Sequence, residues 1–263
     1  MKTEILFLTH NRRQYATLAW ETMLQNTDWS RVSKLWLFDD SSTDGVQDLV
    51  SVWQRRCPTE AEVVKGNWGS PVTAMSDFIG RAIWRGSAEF LAKIDSDVML
   101  PPGWLGDCLT VLSDHPEVNL LGIEARGNSA ADSAPSGTVR LPTPSEWIGG
   151  IGVFRREAFL SVALPCREPG ATSDRKFFGW QAWQMRFPNQ ARAAWLSPSL
   201  QVFLLDRLPL APWDGLGKLY VRAGWQRAAP YYYGEAWAGL WEWSPAVNLS
   251  WQLQLCNARI GKD

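Results

Sequence analysis

Three short apolar runs in the first hundred residues each stop at a polar cluster, and this repetition constrains the fold more than composition does. Glu4 to Thr9 ends in Thr9-His10-Asn11-Arg12. Lys34 to Phe38 ends in Asp39-Asp40-Ser41-Ser42-Thr43-Asp44-Gly45, and Phe90 to Ile94 ends in Asp95-Ser96-Asp97. Short apolar runs bounded by turn residues read as buried strands. Helical patterns lie between them. Arg13 to Gln25 is one, with Leu18, Met23 and Leu24 inward, and Val46 to Trp53 is another. Glu62 to Val64 is a short strand, and Asn67-Trp68-Gly69 makes a turn. A third helix opens with Ser70 as cap and Pro71 at its first position. It sets Val72, Met75, Phe78, Ile79, Ala82 and Ile83 on one stripe. Trp104 to Leu112 predicts a helix and Val118 to Ile123 a strand.

Strands alternating with helices predict parallel pairing through βαβ units. Ligands of such open sheets bind outside the carboxyl ends of the strands. The three polar clusters therefore line one edge of one sheet. Any single carboxylate there is an ordinary turn or cap residue, and Asp44 fits the cap role better than Asp39 or Asp40. Three clusters at the same edge point to a site. Asp95 and Asp97 are hard oxygen ligands, suited to Mg²⁺ or Mn²⁺, which commonly takes one or two carboxylates plus substrate phosphates.

Downstream, residues 124–145 are rich in Ala, Ser, Gly and Pro and read as an irregular loop. The glycines of Gly149-Gly150-Ile151-Gly152 allow backbone to pack closely on a ligand or another strand. A helix is expected from Arg156 to Leu160, helical aromatic sequence from Phe177 to Phe187, and a strand within Ala194 to Leu205. His115, in a Ser-Asp-His-Pro turn, reads as a surface residue.

Charge is unevenly spread. Residues 150–263 carry 13 Lys+Arg against 8 Asp+Glu, whereas the whole chain has a formal net charge of -1. Trp, with 17 copies, is over-represented and runs on beyond Pro209 as Trp213, Trp225, Trp237, Trp241, Trp243 and Trp251. This aromatic, basic region has three readings: buried core, sugar stacking, or nucleic-acid contact through backbone tracking and base stacking. Four scattered cysteines, Cys57, Cys108, Cys166 and Cys256, show neither zinc-ligand spacing nor a dense disulfide framework, and predict reduced thiols and a cytoplasmic protein. No segment approaches the roughly 18 apolar residues of a membrane span, and Ile5 to Leu8 is too short for a signal peptide.

Four stretches together resemble the inverting glycosyltransferases of the GT-A fold, family 2-like. They are Leu8-Thr9-His10-Asn11-Arg12; Phe38-Asp39-Asp40-Ser41-Ser42-Thr43-Asp44-Gly45; Asn67-Trp68-Gly69 leading through Ala74 and Ala82 to Lys93-Ile94-Asp95-Ser96-Asp97 and Pro101; and Gly149-Gly150 with Phe154-Arg155-Arg156-Glu157-Ala158-Phe159. The likeness covers about residues 3–160. It implies an α/β protein with a mostly parallel sheet flanked by helices, followed by an aromatic-rich, mainly helical C-terminal part. The implied domains are residues 1–208, with a nucleotide-sugar half 1–123 and an acceptor half 124–208, and an extension 209–263.

The resemblance further implies metal-dependent transfer of a sugar, with inversion, from a nucleoside diphosphate sugar, expected to be a UDP-sugar, to an acceptor hydroxyl. Thr9, Asn11, Arg12, Asp39, Asp40, Asn67 and Asp95 are then nucleotide contacts. Asp39 or Asp40 accepts from uracil N–H or ribose hydroxyls. Asp95 and Asp97 hold Mn²⁺ or Mg²⁺. The acceptor is a glycan or a hydroxymethylated pyrimidine in DNA, the latter needing a stacking pocket for an extruded base.

Two features depart from the family. Phe177-Phe178-Gly179-Trp180 is similar to an aromatic-Gly-Trp that in related enzymes precedes a Glu-Asp pair supplying the base, but Trp183 and Gln184 stand there. Asp174, the nearest carboxylate, is the expected base; an exposed loop carboxylate is the competing reading. The family's late metal-binding His is also absent. Asp206 is the expected substitute, with a plain salt bridge as its alternative. A binding module that holds a nucleotide sugar without transferring it is the competing function. A nucleotidyltransferase is disfavoured, because no glycine-rich phosphate loop lies near the N-terminus.

Overall fold

The computed structural model describes residues 1–11, 13–69, 71–100, 102–123, 139–140, 152–158, 192–196 and 203–204. Strands β1 (Thr3–Thr9), β2 (Val32–Asp40), β3 (Ala61–Gly66) and β4 (Phe90–Asp95) alternate with helices α1 (Arg13–Asn26), α2 (Val46–Arg56) and α3 (Pro71–Arg85). Then come β5 (Val98–Met99), α4 (Trp104–Asp114), β6 (Val118–Ile123), β7 (Val139–Arg140), β8 (Gly152–Arg155), β9 (Arg192–Leu196) and β10 (Phe203–Leu204).

One sheet takes eight of these strands in the order β3-β2-β1-β4-β8-β6-β9-β7. β1 pairs in parallel with β2 and β4, β2 with β3, and β6 with β9. β8 runs antiparallel to both β4 and β6, and β7 antiparallel to β9. The expected mostly parallel sheet is thus present, with two opposed strands. β10 pairs antiparallel with β5 in a separate ribbon, Leu204 opposite Val98.

Helices cover both faces, which explains the unbroken apolar runs: a strand buried on two sides has no polar alternation. Ile5 and Phe7 of β1 and Leu35 and Leu37 of β2 join the core under α1, α2 and α4. Their alternates, Leu6, Leu8, Trp36 and Phe38, join the core under α3. There Ala74, Met75, Phe78, Ile79 and Ala82 form the stripe anticipated from helical spacing. On the other face Trp20 stacks on Trp53 at 5.3 Å, with Phe7 edge-on to both. Each such side chain contributes roughly 1.5–3 kcal/mol on full burial, so the core sets the positions of the strand ends.

The glycine-rich stretch acts as anticipated at Gly152. A Cβ added there would lie 2.4 Å from the Leu121 carbonyl oxygen, so only glycine lets β8 slot between β4 and β6. The two arginines that follow serve the scaffold. Arg155 donates from Nε to Val118 O at 2.8 Å and from Nη2 to Leu112 O and His115 O, which satisfies carbonyls at the end of α4. Arg156 donates from Nη2 to Ile83 O at 2.6 Å near the end of α3. His115 is the C-cap residue of α4; it is half-exposed, with Nδ1 3.1 Å from Glu117 Oε1, in line with the surface position expected.

Candidate functional site

The polar ends of β1, β2 and β4 lie side by side at the carboxyl edge of the sheet. Register places Thr9 opposite Asp39 and Leu8 opposite Asp95. β1 separates β2 from β4, so Asp39 and Asp95 stand about 10 Å apart in the pairing direction, two strand spacings.

The loops after β1 and β2 are fastened to each other by a ladder of hydrogen bonds. Thr9 Oγ1 donates to Phe38 O at 2.9 Å, and His10 Nδ1 donates to Asp40 O at 2.5 Å. Asn11 N donates to Ser42 Oγ at 2.8 Å, and Asn11 Oδ1 accepts from Thr43 N at 2.8 Å. Asn11 and Ser41 hold positive φ, 55° and 54°, a conformation that costs most residues free energy but asparagine less. Asp44 closes the ladder: Oδ2 accepts from Arg13 N at 2.7 Å and Oδ1 from Val46 N at 3.2 Å. It caps the starts of α1 and α2 together, the role its position in the turn indicated.

Asp39 and Asp40 point to opposite faces, as neighbours on a strand must. Asp40 accepts on Oδ1 from Trp68 N at 2.7 Å and Gly69 N at 3.2 Å. This carboxylate therefore shapes the β3–α3 loop. The loop's Trp68 stacks on Phe38 at 4.8 Å and donates from Nε1 to Asp77 Oδ2 at 3.1 Å. Asp39 is buried and accepts on Oδ1 from Ser42 N at 3.2 Å, within its own turn. Asn67 is exposed beside this loop.

Asp95 and Asp97 are half-buried around Ser96. Asp95 Oδ1 receives a proton donor absent from the sequence reading: Lys93 Nζ lies 2.5 Å away. The Lys93 side chain is 5% exposed and that of Asp95 32%. The signal was available in the spacing, since residues i and i+2 of a strand share a face. Among the described residues, no three His, Cys, Asp or Glu side chains cluster as a metal cage. Two hard carboxylates at a strand end still suit Mg²⁺ or Mn²⁺, which completes its shell with water and phosphate oxygens. The donor set thus fits a hard cation that draws the rest of its shell from oxygen donors outside the pair.

Thr9, Asp39, Asp40 and Asp95 lie at the carboxyl ends of β1, β2 and β4, Asn11 lies in the loop after β1, Asn67 in the β3–α3 loop, and Asp97 just past β4. Arg12, Asp174 and Asp206 lie outside the described residues, as do Trp183, Gln184 and the region from 209. Burial raises the thiol pKa of Cys57, and of Cys108 more strongly; both are free thiols. No helix among the described residues is long and apolar enough to cross a membrane.

No protein-family model and no curated protein matches the chain. Solved structures do. TarS 1-349 of S. aureus superposes with a TM-score of 0.56 at 17% identity, over 78% of this chain and 61% of that one. TarS 1-349 is also known in complex with UDP-GlcNAc. The mannosyltransferase PcManGT of Pyrobaculum calidifontis, in complex with GDP-Man and Mn²⁺, gives 0.53 at 16% identity, over 73% and 56%. GalNAc-T7 with UDP, GalNAc and Mn²⁺ gives 0.56 at 13%, over 78% and 44%. The fold is the GT-A fold of glycosyltransferases. At these identities the likeness is one of fold, and the chain spans about three fifths of the TarS 1-349 structure (61%).

Proposed function

We propose that this chain is a metal-dependent inverting glycosyltransferase that moves a sugar from a UDP-sugar to an acceptor hydroxyl. The observation that carries the reading is the position of Asp95 and Asp97. They stand at the carboxyl end of β4, one strand away from the Thr9–Asp39 pair, on a fold whose solved examples hold UDP-GlcNAc, GDP-Man or UDP with Mn²⁺.

In this reading Asp39 receives the nucleoside, and Thr9, Asn11, Arg12 and Asn67 are proposed as its further contacts. Asp95 and Asp97 face the diphosphate. A divalent cation held by those two carboxylates supplies charge neutralisation for the leaving diphosphate. Asp206 is the proposed third ligand. The pairing of Leu204 with Val98 supports it, because β10 then ends two residues before Asp206 and runs against the segment that follows Asp97. Asp174 takes the proton of the acceptor hydroxyl as general base. The transferase domain is residues 1–208, with 209–263 as an extension. The scattered cysteines support a cytoplasmic location.

The acceptor is proposed to be a hydroxymethylated pyrimidine in DNA or a glycan, and salt dependence separates the two. The 13 basic residues against 8 acidic from residue 150 on support DNA. Phosphate contacts release counterions, so DNA binding should fall steeply between two ionic strengths.

The deciding experiment is hydrolysis of a panel of UDP- and GDP-sugars with Mn²⁺, using Asp97→Asn as control, since transferases leak donor hydrolysis to water. Release of UDP by the native chain and its loss in the variant supports transfer. UDP-sugar binding with no release in any condition supports the binding module instead, in keeping with Trp183 and Gln184 where related enzymes carry Glu-Asp.

A further inference from the structure

We propose that Lys93 couples the two halves of the donor: its buried ammonium makes the Asp95–Asp97 pair take up a divalent cation only together with a diphosphate. The inference rests on the metal-dependent reading above and assigns a positioning role to a residue that reading does not use.

Leu91, Lys93 and Asp95 share the face of β4 on which Leu6, Leu8, Leu91, Met75 and Phe78 form the core under α3. In register Lys93 has Leu6 on one side and Gly152 on the other. An ammonium in such surroundings is tolerated only when paired. The carboxylate it meets is Asp95, at the edge of the sheet, through Oδ1 at 2.5 Å. Lysine is a compact point charge, so the contact has two consequences.

The first is electrostatic. The fixed positive charge of Lys93 offsets the negative charge of Asp95 and opposes an arriving cation. The second is geometric. Oδ1 of Asp95 is engaged by Lys93 and is not open to an ion, which reduces the carboxylate oxygens the pair can offer. A Mg²⁺- or Mn²⁺-sized ion on so few anionic oxygens is weakly held. The same ammonium favours a diphosphate, whose oxygens both complete the ion's shell and balance the lysine. Metal and nucleotide therefore bind with positive coupling, and linkage makes that coupling equal from either side.

The test is titration of the full chain with Mn²⁺, read by the electron paramagnetic resonance of free manganese, with and without UDP. Native protein should bind Mn²⁺ at least tenfold more tightly when UDP is present. Lys93→Met, which fills the same space without charge, should bind Mn²⁺ alone at least tenfold more tightly than native. Its UDP enhancement should fall by a similar factor. Lys93→Arg should restore native coupling. Lys93→Gln, which keeps a donor for Asp95 but no charge, should behave as Lys93→Met and provides the answer if the methionine variant does not fold. Calorimetric UDP titrations with and without Mn²⁺ should return the same factors.

A folded Lys93→Met or Lys93→Gln protein with native manganese affinity in both conditions overturns the assignment, as does weaker binding of manganese alone. Native protein that takes up no manganese even with UDP refutes the metal reading itself, and this role for Lys93 with it.

Discussion

Replacing Asp40 separates the two carboxylates that the turn sequence leaves equivalent. Asp40→Ala removes the acceptor of two backbone N–H groups, Trp68 N at 2.7 Å and Gly69 N at 3.2 Å. A hydrogen bond to a charged group is worth about 1.5–3 kcal/mol net. The longer bond belongs at the low end of that range, and the loop is partly reached by water, so the pair is worth about 3 kcal/mol. For a chain of this size that is a fall in Tm of roughly 6–12 °C. Asp40→Asn keeps an oxygen for both donors and should cost about 1 kcal/mol or less by the same reasoning. Its UDP affinity should stay within about twofold of native. Asp39→Asn should do the reverse. Its oxygen can still accept from Ser42 N, but an amide NH₂ then meets the nucleoside donor, and UDP affinity should drop about tenfold or more, at least 1.4 kcal/mol. Thermal melts and calorimetric UDP titrations of the three variants measure all of this. An unchanged melt for Asp40→Ala, or an Asp40→Asn protein that loses UDP as Asp39→Asn does, refutes the division of labour.

Gly152→Ala should destabilise the chain by about 1–3 kcal/mol through overpacking, since the new methyl lies 2.4 Å from Leu121 O; urea unfolding with an unchanged midpoint would contradict the slot between β4 and β6. Asp174→Asn should lower kcat by roughly a hundredfold or more, the scale of general-base catalysis, with donor affinity unmoved; near-normal turnover would pass the role to another carboxylate. Burial raises the Cys108 thiol pKa in the folded state, so its contribution to stability is complete below the unfolded thiol pKa and is lost as pH rises past it, above about pH 8.5. Cys108→Val should flatten that alkaline loss by up to about 1.4 kcal/mol per pH unit, seen in urea midpoints between pH 8 and 10.

Much of the fold of residues 1–123 was legible because burial on both faces leaves unbroken apolar runs. β1, β2, β4 and β6 could be read that way, and so could the α3 stripe with its proline start. Asp44 was legible as a cap because a turn aspartate two residues before a helix has few better partners than backbone N–H. What separates Asp39 from Asp40 was not legible. It depends on which loop lies over which face, and the loop that takes Asp40 comes from residues 68 and 69. Lys93 was hidden by its surroundings, since one lysine in an apolar run changes the average very little. β5, β7 and β10 are two residues each, too short to leave a period. The antiparallel course of β8 is set by β4 and β6 on either side of it, which no local pattern encodes.

The insertion of β8 between β4 and β6 also governs the order in which the chain can assemble. During synthesis β6 emerges before either of its partners, β8 and β9. Until residues 152–155 follow, β4 has one unsatisfied side and β6 has two, each a row of unpaired backbone groups on apolar strands, the kind of edge that recruits other chains. Residues 1–123, although they hold most of the sheet and four of its helices, are therefore not a unit that folds by itself. A fragment ending there should aggregate where one reaching past Arg155 closes the gap, and β8 acts as the keystone that ends the vulnerable phase of biosynthesis.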